Sequence, residues 1–179
     1  MQEILENKEI SLERFKLEDG VDVFNALKKS YNEISPWLSW LTATYNQKSA
    51  NDFIYLQMAN WNQDLEYAFT IKNQAGDLLG TISLHLYDKQ NKVASLGYWM
   101  NSEFTSNGIC TSAVKLLVAN TLKQLNLSRI EVIVATKNIA SQKVAEKAGA
   151  TYEAILRNRL LLSGKQTDAK MYAFTNSTN

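Results

Sequence analysis

Ile130 to Ala135 reads Ile-Glu-Val-Ile-Val-Ala, a short apolar run rich in β-branched residues. Such a run is expected of a strand buried in a sheet. Upstream, Val114, Leu117, Val118, Leu122 and Leu125 recur on one stripe of a long helix. Ahead of that helix, Val93 to Met100 reads as another strand. A strand-helix-strand unit of this kind calls for a central sheet with helices packed on it.

The flanking segments extend the same plan. Ile10 to Phe15 reads as a first strand, and Asp19 with Asp22 as a helix start ahead of Phe24, Leu27 and Tyr31. Ser49 and Asp52 open a second helix, whose stripe is Ile54, Met58 and Trp61. Tyr67 to Lys72, Leu79 to Tyr87 and Val93 to Met100 form a meander joined by polar turns. After the buried strand, Asn138 can cap a helix carrying Val144, Ala145 and Ala148, with Gly149 at its end. Tyr152 to Leu156 and Met171 to Thr175 close the chain. The order is β-α-α-β-β-β-α-β-α-β-β, an α/β (α+β) fold on a mixed sheet.

With 179 residues and no linker or repeat, one domain over 1–179 is expected, frayed over 176–179. Nineteen basic and 18 acidic side chains leave a net charge of +1, so no broad surface for nucleic acid or anionic lipid is expected. The single cysteine, Cys110, cannot form an internal disulfide, which fits a reducing, cytoplasmic setting. Met1 to Glu9 lack the apolar core of a secretory leader, and no run approaches the ~18 apolar residues of a membrane span. One histidine and one cysteine make no dedicated metal site.

The junction after Met100 carries the chemical signal. Strand Leu96-Gly97-Tyr98-Trp99-Met100 runs into polar residues Asn101 to Asn107, then Gly108 and a helix. A helix N-terminus offers unpaired N–H groups and the positive end of a dipole, a natural seat for a phosphate. A glycine there lets backbone approach an anion closely. The pattern is neither the triphosphate P-loop nor the dinucleotide G-x-G-x-x-G loop.

Three stretches resemble the GNAT N-acetyltransferases, and within them the ribosomal-protein (RimJ/RimL-like) branch. Leu96 to Met100 looks like the branch's "IGYW" strand. Thr105-Ser106-Asn107-Gly108-Ile109-Cys110-Thr111 stands where its Q/R-x-x-G-x-G/A acyl-CoA loop belongs. Asn138 to Ala150 is close to its N-x-x-S-x-x-V-A-E-K-x-G-F. Ser35-Pro36-Trp37-Leu38 is similar to its substrate-side loop. Thr105, Ser106, Cys110 and Ala150 depart from the pattern, and Ala145 stands where many relatives carry a tyrosine acid.

The resemblance implies a mostly antiparallel, twisted sheet of about seven strands with helices on both faces, splayed at the acyl-CoA site. It implies acetyl-CoA as cofactor, held by Tyr98, Trp99, Met100, the loop from Thr105 to Thr111 (Thr105, Ser106, Asn107, Gly108, Ile109, Cys110, Thr111), Asn138 and Ser141. The acceptor is a primary amine: a protein N-terminus, or a small amine such as an amino acid, polyamine or antibiotic. Transfer is by direct attack, with no acyl-enzyme, and a homodimer is compatible. A non-catalytic acyl-CoA-binding module is the reading from another class, motivated by the altered loop.

Direct transfer needs a neutral amine and a donor for the departing thiolate. Ser141 is the candidate donor, though a first-turn serine can also simply serve its helix end. Glu66 and His85 are candidates to orient or deprotonate the amine, against plain solvated or structural roles. Trp37 and Trp40, with Glu66, are candidates for the substrate wall. Cys110 reads as a small buried thiol.

Overall fold

The computed structural model describes residues 1–176, the side chains of 86 and 87 excepted. Eight strands form one sheet in the order β1-β2-β3-β4-β5-β6-β8-β7. In chain order these are β1 (Ile4–Glu6), β2 (Ile10–Arg14), α1 (Asp19–Lys29), α2 (Tyr31–Ile34), α3 (Gln47–Asn62), β3 (Tyr67–Asn73), β4 (Leu78–Asp88) and β5 (Val93–Met100). A 3-10 turn (Ser102–Phe104), α4 (Ile109–Gln124), β6 (Arg129–Ala135), α5 (Ile139–Ala148), β7 (Thr151–Leu162) and β8 (Lys165–Thr175) follow.

Every strand pair is antiparallel except β5 with β6. A parallel pair needs a crossover, and α4 supplies it. Side chains alternate across the sheet. Phe69, Ile71, Ile82, Leu84 and Leu96 join Val114 and Leu117 of α4 and Ala145 of α5 on one face. Ala68, Leu78 and Trp99 join Val23 and Leu27 of α1 and Ala50 and Ile54 of α3 on the other. The sheet is thus covered by α4–α5 on one side and α1–α3 on the other, as the strand-helix-strand unit requires.

Three features differ from the sequence expectation. β1 is an extra strand: Leu5, opposite Leu12, is buried between two exposed neighbours, too short a segment for alternation to register. Tyr31–Ile34 forms a four-residue helix ahead of the aromatic loop. β7 and β8 are about twice the expected length. Their hairpin closes Leu162 onto Lys165 through Ser163 (φ 47°) and Gly164 (φ 74°), the left-handed pair of a tight hairpin turn. β7 is an edge strand exposed along much of its length, and its apolar residues alternate only between half-buried (Ala154, Leu156, Leu160, Leu162) and exposed (Ile155, Leu161).

Asn176 is held by two bonds, its N–H to Ser128 O (3.2 Å) and its Nδ2 to Leu127 O (2.9 Å). The rest of the segment expected to fray, 177–179, lies outside the described residues.

Leu117 is fully buried and anchors α4 to the sheet. Leu117→Ala is expected to lower the unfolding free energy by about 2–5 kcal/mol, read by urea denaturation.

Candidate active site

β5 and β6 pair only over Val93–Ser95 with Arg129–Glu131. Beyond Ser95 they part. β5 follows β4 as far as Gly80 opposite Met100, and β6 follows β8 as far as Ala135 opposite Ala169. A wedge opens between the two strands. Asn101 N–H donates to Leu79 O (2.8 Å), which fixes the parity of β5. Trp99 turns its N–H and C=O toward β4, and Leu96, Tyr98 and Met100 turn theirs into the wedge. Of the three strand residues expected at the cofactor, Tyr98 and Met100 therefore face the wedge. Trp99 does not; its indole is buried in the α1–α3 core.

At the open end of the wedge the chain enters α4. Thr105 Oγ1 donates back to Ser102 O (3.0 Å), and Thr105 to Gly108 are exposed. Ser106 (φ 68°) and Gly108 (φ 79°) are both left-handed, so the loop reverses sharply before the helix. Gly108 is the helix N-cap, and no side chain caps it. The first N–H groups of α4, from Ile109, Cys110 and Thr111, thus face the loop without a helical partner among the described residues. Burial pushes the Cys110 thiol up to about 12, and it packs against the α4–α5 core. The half-buried thiol is thereby held protonated.

The first turn of α5 stands on the same face. Asn138 caps it, its Oδ1 accepting from Ser141 N (3.1 Å), as the sequence leads one to expect. Ser141 Oγ donates to the Tyr98 hydroxyl (3.1 Å), and that hydroxyl donates to Ser141 O (2.9 Å). Burial holds the Tyr98 phenol in its neutral form, raised well above the ordinary tyrosine range. This pairing bridges the wedge from β5 to α5. Ala145, one face-turn further along, is completely buried.

Glu66 and His85 lie on the other face. Tyr67 opposes Leu84, so Glu66 falls beside His85, which opposes Ser95, the last paired residue of β5. Asn60 Nδ2 donates to Glu66 (3.2 Å), and the Gln57 amide, with its NH2 toward the acid, reaches both carboxylate oxygens at 3.1 and 3.2 Å. Burial lowers the His85 pKa, and the Glu66 charge partly offsets this. Gly97 makes room for the ring: a Cβ there would lie 2.9 Å from His85 Cε1. The structure brings Glu66 and His85 together and keeps them apart from Ser141, on opposite faces of the sheet.

Trp40 stacks on Phe53 (5.9 Å, 12°) and lies 5.7 Å from Tyr45, on the α1–α3 side. Trp37 is half-buried in the same loop. Sequence reasoning gave no part to the Tyr98 side chain, to Gln57 or to Tyr45, whose hydroxyl is buried without a partner among the described residues. A pairing across 43 positions of chain leaves no local signal.

The wedge and the uncapped α4 fit an acyl-CoA: a helix end for its phosphates and an unpaired strand edge for its amide-bearing arm. Comparison with known proteins agrees. The model of the Acetyltransferase (GNAT) domain matches residues 9–151. The chain belongs to the GNAT acetyltransferase family. It is an N-acetyltransferase that takes its acetyl group from acetyl-CoA. YdaF of Bacillus subtilis, provisionally named a ribosomal N-acetyltransferase, is 32% identical over 75% of each chain. The ribosomal L7/L12 α-N-protein acetyltransferase RimL, solved with coenzyme A, shares the fold at a TM-score of 0.91 with 20% identity, covering 97% of this chain and 98% of that one. The microcin C7 self-immunity acetyltransferase MccE, solved with acetyl-CoA and AMP, shares it at 0.90 with 23% identity over 95% and 94%.

Two outcomes follow from this geometry. Gly108→Ala forces a side chain into a left-handed position, so it is expected to cost about 1–2 kcal/mol of stability by denaturation and to raise the acetyl-CoA Kd by calorimetry. His85 has a folded pKa below its ordinary 6.5, so the unfolded chain binds the extra proton first. Stability is expected to be full above the ordinary histidine range and to fall as pH drops through it. Denaturation midpoints of wild type and His85→Gln across that range check this; the variant is expected to show the shallower slope.

Proposed function

We propose that this acetyltransferase acts on protein N-terminal α-amines of the ribosomal-protein type. The observation that carries the reading is the two-sided wedge. Glu66 and His85 lie at one face of it, the Ser141–Tyr98 pair and the phosphate seat at the other. An amine approaching from the α1–α3 face meets a modest acceptor rather than a strong base. That suits an α-amine, with a pKa of about 7.7–8.0 and roughly 10–15% neutral at pH 7, and not a lysine, below roughly 0.1%. The name of RimL, an α-N-protein acetyltransferase, supports the α-amine, and that of YdaF a ribosomal acceptor.

Acetyl-CoA supplies a thioester carbonyl. Tyr98 and Met100 present backbone groups along the wedge, and the α4 N-terminus holds the phosphates. Glu66, steadied by Gln57 and Asn60, orients the amine or a water that takes its proton. The aromatic loop with Trp37 and Trp40 walls the acceptor side. Ser141 offers its hydroxyl to the leaving sulfur. Fixing both reactants in one cleft supplies much of the rate.

The test is incubation with acetyl-CoA and a panel of α-amino peptides, amino acids, polyamines and aminoglycosides. Acetylated peptide N-termini are expected. Acetylation of the small amines alone would overturn the acceptor class. Ser141→Ala is expected to lower kcat about ten- to hundred-fold, the worth of a hydrogen bond to a charged group, with acetyl-CoA affinity retained.

A further inference from the structure

Tyr98 stands in an unusual relation to Ser141: its phenol oxygen lies within reach of two oxygens of the same residue, the carbonyl at 2.9 Å and the hydroxyl at 3.1 Å. The carbonyl can only accept. The phenol proton therefore goes to it, and the Ser141 hydroxyl proton is left pointing at the phenol. In that arrangement Ser141 has no proton to give to a thiolate.

A second arrangement uses the same atoms. The phenol turns its O–H to Ser141 Oγ, and the Ser141 O–H swings away, free to donate into the wedge. The carbonyl loses little by this. It lies inside α5, where the N–H of Ala145 is its helical donor. The exchange moves two hydroxyl rotors, and the 0.2 Å difference between the two contacts requires no backbone shift.

We propose that Tyr98 is a positioning residue for acetyl transfer, a switchable donor that turns from the Ser141 carbonyl to its hydroxyl and so directs the Ser141 O–H at the leaving sulfur. This rests on the wedge binding acetyl-CoA as described above. When the C–S bond breaks, its electron pair goes to sulfur, and the chain Tyr98 O–H to Ser141 O–H to sulfur stabilises that charge without a covalent step. Hydrogen bonds in series polarise one another, and a phenol is a better donor than water to the serine behind it. Ala145, one turn on in α5, is buried within the α4–α5 core, and β5 brings a phenol to the same helix from across the gap.

The decisive measurement is the ionisation of the CoA thiol in the binary complex, followed by ultraviolet thiolate absorbance, with CoA affinity taken in parallel by calorimetry. In the wild type the bound thiol is expected to ionise at lower pH than free CoA. Tyr98→Phe is expected to raise that value by roughly one pH unit and to lower kcat about ten-fold, leaving the KM for acetyl-CoA near its original value. Replacing Tyr98 by 3-fluorotyrosine, a more acidic phenol of nearly the same shape, is expected to lower the thiol value further, a direction that loss of packing cannot produce. Tyr98→Phe with Ser141→Ala is expected to be no slower than Ser141→Ala alone, because the two act in series. An unmoved thiol titration in Tyr98→Phe and in the fluorotyrosine protein, or additive losses in the double variant, overturns the proposal. Failure of the wild type to bind CoA would overturn it together with the cofactor seat; normal CoA binding with an unmoved thiol overturns it alone.

Discussion

Three residue pairs of parallel sheet, Val93–Ser95 against Arg129–Glu131, hold the two halves of this molecule in register, and the site exists because the pairing stops there. A backbone polar group inside a protein needs a partner. Once β6 leaves, the inward groups of Leu96, Tyr98 and Met100 can be satisfied only by water or by something laid along the edge. The meander on one side and the β6-β8-β7 unit on the other are each well paired, so neither closes the gap. The edge is a donor–acceptor row of fixed spacing, held open by the rigidity of its two flanks.

The wedge also sorts the chemistry. Because strand side chains alternate, one face of β5 carries Tyr98 toward α5 and the other carries Gly97 beneath His85. Glu66 and His85 consequently lie on one face of the sheet, and Tyr98 with Ser141 on the other. Burial keeps Tyr98 a neutral phenol on its side of the sheet. Half-buried Cys110 packs against the α4–α5 core with its thiol held protonated.

Much of this was legible from residues alone, where the physics is local. β5 is bounded by Val93 and Met100 as its composition indicates. Asn138 caps α5, and Gly149 ends it at φ 101°. Gly108 takes the left-handed turn into α4. Less legible were elements whose order comes from neighbours. β1 is three residues long and is a strand only because β2 lies beside it. β7 runs through an irregularity at polar Arg157, Asn158 and Arg159, where its register with β8 shifts and the Asp168 side chain accepts from Asn158 N–H (2.8 Å), before pairing resumes at Leu160. The Tyr98 side chain carries no local signal of its partner. Its hydroxyl acquires meaning only when α5, 43 residues on, is folded against it.

The loop before α4 departs from its family's pattern at Thr105, Ser106 and Cys110, and the fold explains why such drift is tolerable. The parallel β5–β6 pair obliges the chain to cross over, and the crossover helix must begin at the end of β5 where the gap opens. The helix end and the strand edge therefore point at the same place by topology, whichever side chains surround them. An address written in main-chain atoms erodes slowly under substitution. It is vulnerable instead to changes in length: one residue added within α4 would turn everything beyond it by about 100°. Lineages built on this plan should vary freely in the letters of the loop and sparingly in the count of residues between Gly108 and Arg129.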